Sequence, residues 1–300
     1  MTLPFASLCL LTYNRSAILP RSIESLLAQS HRDFELVIND DNSPDDTERV
    51  CREYAAKDPR VRYHRNPRNL RFAGNQNAAL GRASSDYVAI MHDGDIYRPD
   101  IIERWLQALV RQPAAALAFN ASDSIDEQGR VIARHRHPFG EEVPGRLLFD
   151  HILRRVSSPI YGIVMVRKSA VAAAGPFDER IPTFADVDMW MRLLLRGDAA
   201  YIDEPLFQIS PREAGHHNRL GNWRMTAEQE TFFGWNAARR FPRLTPEARE
   251  TWGQCRRTLR RARARALLAC AKRGLWRGLY QGIGYCLSRP LPDPWATPAP

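Results

Sequence analysis

Short apolar runs alternate with helical patterns over the first hundred residues, and this alternation constrains the fold more than any other feature of the sequence. The runs that predict strands occupy residues 5–11, 34–38, 61–64 and 87–91. The intervening segments that predict helices are residues 17–29, the stretch that follows the loop 39–46 and ends near Lys57, and residues 72–82. This order predicts an α/β fold with a mostly parallel sheet that helices cover on both faces.

The rest of the chain is less regular and divides into two regions. Predicted helices cover residues 99–111 and 186–196, and predicted strands cover residues 115–120, 162–166 and, as a last edge strand, 201–203. Beyond about residue 222 the chain becomes helical and rich in arginine, and its Pro-rich end at residues 290–300 is expected to be frayed. We therefore predict a first domain over residues 1–220 and a helical region over residues 221–300.

The turn after the first predicted strand is Thr12-Tyr13-Asn14-Arg15. Ligands of open α/β sheets bind beyond the carboxyl ends of the strands, which makes this turn a candidate binding element. It contains no glycine, and the sequence has no Gly-x4-Gly-Lys-Ser/Thr motif, so the dinucleotide-binding fingerprint and the P-loop are both absent. Either the turn only connects a strand to a helix, or it presents the Tyr13 ring for stacking on a base.

Acidic residues follow the second predicted strand, in the segment 39–47. Ser43 is predicted to cap the next helix, and Asp45 and Asp46 in the first turn would then interact favourably with the helix dipole. This leaves Asp40 and Asp41 without an explanation, and their carboxylates are expected to face a crevice at the strand end. A carboxylate there can accept hydrogen bonds from a uracil N–H or from ribose hydroxyl groups.

A second acidic turn, Asp93-Gly94-Asp95, follows the fourth predicted strand. Two carboxylates at the end of a buried strand are costly to ionise unless a cation or ligand lies between them. Hard oxygen ligands of this kind suit Mg²⁺ or Mn²⁺, which keep water ligands and bind substrate phosphates. A single acidic turn is common, but acidic turns at two strand ends of one sheet together are a much stronger indication of a ligand site.

The ordered set of motifs resembles family 2 glycosyltransferases with the GT-A fold, over about residues 5–215. Besides the turns already described, the resemblance rests on the helix with Asn75 and Asn77, on Pro99-Asp100, on Gly175-Pro176-Phe177-Asp178-Glu179 and on Asp186-x-Asp188-x-Trp190-x-Arg192. It implies a Rossmann-like sheet, with a nucleotide-binding half of about residues 1–100 and an acceptor half of about residues 101–220. It also implies an inverting hexosyltransferase of polysaccharide biosynthesis, which moves a sugar from a nucleotide-diphosphate sugar to a hydroxyl group of a saccharide or lipid-linked acceptor.

The same resemblance implies roles for single residues. Tyr13 would stack on or flank the base, and Asp41 would bind the base. The full set implied to bind the nucleotide sugar is Thr12, Tyr13, Asn14, Arg15, Asp40, Asp41, Arg71, Asn75 and Asp93. Asp93 and Asp95 would cover the ribose and hold Mg²⁺ or Mn²⁺ at the diphosphate, and which of the two is the direct metal ligand stays open. His216, in the loop after the last predicted strand, completes the metal shell, contacts the diphosphate or belongs to a solvated loop.

Asp186 falls at the position of the catalytic base in that family. Glycosyl transfer needs a base for the proton of the attacking hydroxyl and a metal that neutralises the leaving diphosphate. Without the family context, Asp186 is equally well explained as the N-cap of the helix that starts there. Asp188 is expected to orient the loop or an acceptor. Trp190 is a candidate acceptor contact too, although a place in the core suits it better.

The net charge of +9 belongs to the C-terminal region. Ten of the 43 Lys and Arg residues lie within residues 252–289, which contain no acid, so the remaining 33 nearly balance the 34 acids. Residues 255–269 form a basic amphipathic pattern with Arg263 on its polar side, and an aromatic stretch follows. Because anionic lipids attract basic residues, we expect residues 252–289 to bind an anionic membrane surface, in preference to forming a solvated helix that packs on the body.

Several classes of protein are disfavoured. The near-neutral body has no basic stripe, so no nucleic-acid partner is expected. Two alternative functions stay open. The closer alternative is another nucleotide-sugar or nucleotidyl transferase on the same fold, and the more distant one is a nucleic-acid-binding protein that uses the basic C-terminal region. No apolar run reaches the roughly 18 to 20 residues of a membrane span, and the N-terminal segment lacks signal-peptide features. We therefore expect a cytoplasmic protein, with peripheral attachment on the cytoplasmic face of the membrane. Five cysteines without a CxxC pair argue against disulfides and structural zinc.

Overall fold

A computed structural model describes residues 2–211 and 223–295 of the protein. The chain divides into two compact units. In the described part, unit 1 comprises residues 2–146 and 159–211, and unit 2 comprises residues 147–158 and 223–295. The structure therefore groups residues 147–158 with the C-terminal helices, whereas the boundary predicted at residue 220 assigned them to the first domain. The division of that domain into a nucleotide-binding half and an acceptor half stays a prediction.

Unit 1 contains the strands and most of the predicted helices. The strands, in chain order, are β1 (Ala6–Thr12), β2 (Phe34–Asp40), β3 (Val61–Arg65), β4 (Tyr87–His92), β5 (Ile96–Tyr97), β6 (Ala115–Ile125), β7 (Val131–His135), β8 (Glu142–Val143), β9 (Val164–Arg167) and β10 (Asp198–Ile209). The helices are α1 (Leu19–Leu27), α2 (Thr47–Lys57), α3 (Arg71–Arg82), α4 (Ile101–Arg111), α5 (Gly145–Arg155), α6 (Lys168–Ala174) and α7 (Ala185–Leu194), of which α5 ends in unit 2.

The strands form one sheet in the order β3-β2-β1-β4-β9-β6-β10-β5, with β7 paired to β6 and β8 paired to β10. β1 is parallel to β2 and β4, β2 is parallel to β3, and β6 is parallel to β10. The predicted α/β fold with a mostly parallel sheet is therefore confirmed. In the middle of the sheet β9 runs antiparallel to both β4 and β6, and the short strands β5, β7 and β8 are antiparallel to their partners as well.

β10 differs from the edge strand predicted at residues 201–203. It spans twelve residues and lies between β6 and β5, inside the sheet. Its register against β6 shifts on both sides of Pro205, a residue that has no N–H to donate to the ladder. The proline makes the sequence read as the end of a strand, whereas the strand continues through an irregularity.

The central strand β1 is buried from Ala6 to Thr12. A parallel strand that is covered on both faces needs a continuous apolar sequence, and residues 8–11 provide it. The register pairs Thr12 with Asp40 of β2 and Leu11 with His92 of β4. The three parallel strands therefore end at one edge of the sheet, and the turns that follow them begin side by side.

Unit 2 is helical in its described part. It contains the second part of α5 together with α8 (Trp223–Arg240), α9 (Pro246–Lys272) and α10 (Trp276–Ser288). Arg240 of α8 pairs with Asp150 of α5 at 3.0 Å, and Arg154 of α5 donates to the Thr251 hydroxyl of α9 at 3.0 Å. These bonds explain why residues 147–158 belong to this unit. Among residues 2–211 and 223–295, no helix has the length and the apolar character that crossing a bilayer requires.

The apolar side of α9 packs inside unit 2, where Cys255 and Leu259 are buried. Arg263 is buried as well, although the sequence placed it on the polar side of the helix. It donates two hydrogen bonds of 2.6 Å to the carboxylate of Glu230 in α8, and Glu230 also accepts the Tyr285 hydroxyl of α10 at 2.6 Å. Arg263 therefore joins helices, and it does not contribute to an exposed basic surface.

Candidate active site

The turns after β1 and β2 are tied together by side chains of the second turn. The backbone N–H of Asn14 donates to the Ser43 hydroxyl at 2.9 Å, and that of Ser16 donates to Asp45 Oδ2 at 2.9 Å. Burial opposes ionisation of Asp45, but the hydrogen bonds from Thr47 and Ser16 outweigh it and lower the pKa of this carboxyl to about 2. The negative charge of Asp45 is thus used to hold the turn after β1.

Ser43 does not cap α2, as the sequence had predicted. The helix begins at Thr47, and its cap residue is Asp46, whose side chain makes no capping hydrogen bond. Ser43 instead accepts the Asn14 N–H and donates its hydroxyl to Asp40, so it links the two turns. This role depends on the contact between two loops that lie 29 residues apart in the sequence.

Asp40 is fully buried, so the expectation that its carboxylate faces a crevice is wrong. Its Oδ1 accepts the backbone N–H of Ser43 at 2.9 Å, and its Oδ2 accepts the Tyr63 hydroxyl of β3 at 2.7 Å. Burial is the largest cause that raises the pKa of Tyr63, and the hydrogen bond to the Asp40 carboxylate is the second. Both oxygens of Asp40 therefore hold the loop and the neighbouring strand.

Asp41 is held by one oxygen only. Its backbone N–H donates to the Thr12 carbonyl at 3.0 Å, and its Oδ1 accepts the Asn66 amide at 2.9 Å and the Leu70 N–H at 2.7 Å. Within the described residues, Oδ2 has no hydrogen-bond partner. The chain thus fixes the direction of this carboxylate and leaves one oxygen available to a ligand.

Asn75 lies in a buried amide network behind Asp41. Its Oδ1 accepts hydrogen bonds from the side-chain amides of Asn39 and Asn66, and Arg82 donates to both Asn39 and Asn66. Because Asn66 also donates a hydrogen bond to Asp41, this network helps to orient the Asp41 carboxylate. The structure therefore gives Asn75 a positioning place, although the sequence had grouped it with residues that touch the nucleotide sugar.

The remaining residues of the β1 turn and the start of α3 are more open. Tyr13 and Asn14 are exposed, and so is Arg71. Asn14 has φ 56° and Arg71 has φ 63°, in the left-handed region that is uncommon for residues other than glycine. Such backbone strain is concentrated at ligand sites, where the surrounding contacts sustain it. Arg15 is partly buried, and its N–H donates to the Thr47 hydroxyl at 3.3 Å.

Thr12 contributes a buried polar group at the same edge. The residue is buried at the end of β1, and in the described part of the chain its hydroxyl has no hydrogen-bond partner. Leaving such a group unbonded costs about 1–3 kcal/mol. This hydroxyl is therefore an unsatisfied polar group at the edge where the three parallel strands end.

The acidic turn after β4 is anchored by α1 and β10. The Ser22 hydroxyl of α1 accepts the Gly94 N–H at 2.8 Å and donates to the Asp95 carbonyl at 2.9 Å. Asp95 is fully buried, and its Oδ1 accepts the N–H of Ser210, the residue after β10, at 3.1 Å. Asp93 is partly exposed. The two carboxylates therefore differ, since the first reaches solvent and the second is oriented by the backbone.

A metal would be held by Asp93 and Asp95 if this turn binds one. Among the described residues, no three His, Cys, Asp or Glu side chains come together in a group that could hold a metal ion. Two carboxylates suit a cation such as Mg²⁺ or Mn²⁺, which takes its other ligands from water and substrate phosphates. The donor set thus fits a substrate-dependent metal. His216, the third predicted ligand, lies outside the described residues.

Asp186 lies in the first turn of α7, but it is not the cap of that helix. The cap residue is Phe184, and Asp186 Oδ1 accepts the N–H of the next residue, Val187, at 2.8 Å. The carboxylate is partly exposed. α7 packs on β6 and α3 and is followed along the chain by β10.

Asp188 and Trp190 are both fully buried, and neither is placed as a contact for an acceptor. Asp188 pairs with Arg192 at 2.8 Å, and Arg192 also donates to the carbonyls of Ala174, Gly175 and Pro176. Trp190 packs edge-on against Phe177, with ring centroids 5.9 Å apart. Asp188 therefore holds the segment before α7, and Trp190 belongs to the core.

Acidic turns follow neighbouring parallel strands at the edge where open α/β sheets bind their ligands, which makes this edge the candidate active site. The sequence model of glycosyl transferase family 2 matches residues 7–174, which is more than half of the chain. The chain therefore belongs to glycosyl transferase family 2, and it is a glycosyltransferase. Among its relatives, the putative glycosyltransferase EpsE of Bacillus subtilis is 29% identical over 210 residues, which cover 69% of this chain and 73% of EpsE.

Solved structures share the fold. TarS 1–349 of S. aureus, in complex with UDP-GlcNAc, superposes with a TM-score of 0.61 at 16% identity, over 93% of this chain and 90% of that one. The mannosyltransferase PcManGT of Pyrobaculum calidifontis, in complex with GDP-Man and Mn²⁺, gives a TM-score of 0.59 at 15% identity, over 95% of this chain and 81% of PcManGT. At these identities the similarity concerns the fold alone, which is the GT-A fold that the sequence predicted.

Proposed function

We propose that this glycosyltransferase is an inverting, metal-dependent enzyme that moves a sugar from a nucleotide-diphosphate sugar to a hydroxyl group of a saccharide or lipid-linked acceptor. The observation that carries the proposal is the common edge at which β1, β2 and β4 end, because Tyr13, Asp41 and Asp93 follow these strands there. The donor class is supported by the complexes of TarS with UDP-GlcNAc and of PcManGT with GDP-Man.

The nucleotide is assigned to the paired turns after β1 and β2. Asp41 Oδ2 would accept a hydrogen bond from the base, since Asn66 and Leu70 fix the direction of the carboxylate through Oδ1. The Tyr13 ring would flank the base. The other residues kept in the donor site are Thr12, Asn14, Arg15, Arg71 and Asp93. Asp40 and Asn75 would act on the donor only indirectly, by holding the turns.

The diphosphate is assigned to the turn after β4. Asp93 and Asp95 would hold Mg²⁺ or Mn²⁺, which when bound neutralises the charge that develops on the leaving diphosphate. The chain itself contributes the orientation of the turn, through Ser22 on one side and Ser210 on the other. The Mn²⁺ of the PcManGT complex is consistent with this choice of metal.

Asp186 is the proposed base. It would take the proton of the acceptor hydroxyl while the oxygen attacks the anomeric carbon from the face opposite the diphosphate. The new C–O bond forms as the bond to the diphosphate breaks, so the nucleoside diphosphate leaves and the configuration inverts. The contrast within α7 supports this assignment, because Asp186 is partly exposed whereas Asp188 is buried against Arg192.

We also propose that residues 252–289 attach the enzyme to an anionic membrane surface, at the cytoplasmic face. Eight of the ten basic residues of this segment are exposed, and Arg263 is withdrawn into unit 2. Each basic residue near an anionic surface contributes about 1 kcal/mol of attraction. Such attachment would bring the enzyme close to a lipid-linked acceptor.

The Asp186→Asn variant tests the proposed reaction. It is expected to bind donor within about twofold of the wild type and to release nucleoside diphosphate about 100- to 10,000-fold more slowly, which is the range that a general base contributes. Binding is measured by calorimetry and release by a coupled assay with a panel of saccharide and lipid-linked acceptors. Glu127→Gln, an exposed acid in the turn between β6 and β7, is the control and should leave both quantities unchanged. Full turnover of Asp186→Asn would remove the residue from its role.

A further inference from the structure

The outer face of α10 is covered with large apolar side chains. Trp276, Tyr280, Ile283 and Leu287 expose 69%, 82%, 45% and 85% of their surface. Their spacing of four, three and four residues places them in one narrow stripe along the helix, which we call the α10 stripe. Most soluble surfaces carry single apolar residues, whereas a contiguous stripe marks an interaction site.

The opposite face of α10 is packed inside unit 2. Gly278, Gly282 and Tyr285 follow one another there at helical spacing. Trp223 of α8 donates its indole N–H to the Gly278 carbonyl at 2.8 Å, and a Cβ atom at Gly282 would overlap the Trp223 ring. The Tyr285 hydroxyl donates to the buried Glu230 at 2.6 Å. The helix is therefore fixed in its rotation, and the α10 stripe is turned away from the packed side.

Basic residues accompany the α10 stripe. Lys272 and Arg273 precede the helix, Arg277 follows Trp276 directly, and all three are exposed. Since residues 252–289 contain no acid, no neighbouring carboxylate of this segment neutralises them. The surface thus combines apolar side chains that can enter a lipid phase with positive charge that favours anionic headgroups.

We propose that the α10 stripe inserts into the interfacial region of an anionic bilayer, with α10 lying parallel to the membrane plane. This rests on the proposed membrane attachment and names the surface that makes it. Trp and Tyr prefer the depth of the lipid headgroups, where the ring is in apolar surroundings and the polar end is hydrated. A second copy of the chain is a poorer occupant, because the positive charges beside the two stripes would repel each other. α9 contributes mainly charge, since Cys255, Leu259 and Cys270 are packed within unit 2 and, among its described residues, Leu268 is the one large apolar side chain that this helix exposes.

Flotation of the full chain with lipid vesicles tests this proposal. The wild type is expected to float with vesicles of phosphatidylcholine and phosphatidylglycerol and to stay behind with phosphatidylcholine alone. The triple variant Trp276→Ser, Tyr280→Ser and Leu287→Ser removes the most exposed side chains of the stripe and should weaken vesicle binding about tenfold or more. The control Ile132→Ser replaces an exposed apolar residue of β7 and should bind like the wild type. Circular dichroism checks that the triple variant keeps its helices.

A charge variant separates insertion from general attraction. Arg257→Gln, Arg260→Gln, Arg261→Gln and Arg265→Gln together neutralise four exposed arginines of α9. One outcome is that this variant loses vesicle binding while the triple variant floats like the wild type. In that case the enzyme attaches to the membrane electrostatically through α9, and the proposal that the α10 stripe inserts is wrong although the proposed attachment is kept. If the wild type does not float at all, both proposals fail. A third outcome would also overturn the proposal: the wild type sediments as a dimer, the triple variant sediments as a monomer, and neither floats with vesicles. The α10 stripe would then be an interface between two copies of the chain.

Discussion

Each unit of the molecule contains a buried carboxylate–arginine pair, and the two pairs act over very different ranges. In unit 1, Asp188 and Arg192 are four residues apart in α7, and Arg192 also holds the carbonyls that precede the helix. In unit 2, Glu230 and Arg263 are 33 residues apart and join α8 to α9. The first pair fixes the segment that presents the proposed base, and the second fixes the helices that present the α10 stripe.

The comparison separates two kinds of charged residue. Charges that are buried and paired hold the backbone, as Asp40, Asp188 and Arg263 do. Asp93 and Asp186 reach solvent and are assigned to chemistry, while Asp41 and Asp95 are buried and are each held through the carboxylate oxygen Oδ1. A buried pair is costly to break, because the partner that remains is an uncompensated charge, so its loss should be visible first in stability.

The largest expected effect is that of Asp188→Asn. It removes the carboxylate that pairs with the largely buried Arg192 and should lower the free energy of unfolding by about 3–5 kcal/mol. Because the segment before α7 would then be held less firmly, kcat should fall by about tenfold or more at a temperature where the variant is folded. Urea denaturation and steady-state assays measure the two quantities. An unchanged kcat would show that this pair does not position the site.

Glu230→Gln is the matched variant in unit 2. It should lower the free energy of unfolding by a similar amount, about 3–5 kcal/mol, because Arg263 is left buried without its carboxylate partner and the Tyr285 hydroxyl loses its charged acceptor. In contrast to Asp188→Asn, it should leave kcat within about twofold in a soluble assay where the variant is folded. A loss of kcat as large as that of Asp188→Asn would remove the distinction between the two pairs.

Acid should weaken unit 1 through Glu35 of β2. Burial opposes ionisation of this carboxyl, but hydrogen bonds from Ser7, Ser84 and Arg62 outweigh it and lower its pKa from 4.5 to about 2. Because the folded pKa lies below the unfolded one, the contribution is complete above about pH 4.5 and is lost as the pH falls toward 2. Urea denaturation of wild type and Glu35→Gln across this range should show a flatter pH dependence for the variant, and parallel curves would contradict the assignment.

Asn66→Ala should have the smallest effect. It removes one of the two hydrogen bonds that direct Asp41, at a cost of about 1–2 kcal/mol in nucleotide affinity, or roughly five- to thirtyfold. Calorimetric titration with the nucleoside diphosphate that binds the wild type measures the change. Gln254→Ala, which removes an exposed side-chain amide on α9, is the control and should bind like the wild type. Equal affinity of Asn66→Ala and wild type would remove Asp41 from the nucleotide site or show that its direction does not matter.

The strands that end at the site could be predicted because each is a compact apolar run bounded by polar turns. β1, β2, β3 and β4 lie within one or two residues of their predicted positions. The direction of β9 could not be predicted, since an apolar run has the same sequence pattern in a parallel or an antiparallel strand. The full length of β10 was hidden by Pro205, which is tolerated only through a shift in register.

The candidate site was predictable in its residue types and less so in their orientation. The sequence places acids at the strand ends, but only the contact between loops shows that Asp40 faces Tyr63 and that Ser43 joins the two turns. Asp188 and Arg263 each have an unremarkable place in a helical pattern, and their burial depends on partners in the tertiary structure. Asn66 and Ser210, which direct Asp41 and Asp95, carry no local signal that distinguishes them from ordinary loop residues.

Binding of nucleoside diphosphates tests the central claim most directly. Thermal unfolding is followed with UDP, GDP, dTDP or CDP, each with and without Mn²⁺, for the wild type and for Asp41→Ala. We expect one of the four to raise the wild-type midpoint by about 5–10 °C at a hundredfold excess over its Kd, with a larger shift when Mn²⁺ is present. Asp41→Ala should lose most of that shift. If none of the four nucleotides stabilises the wild type, with or without the metal, the account of a nucleotide-sugar site at this edge of the sheet is contradicted.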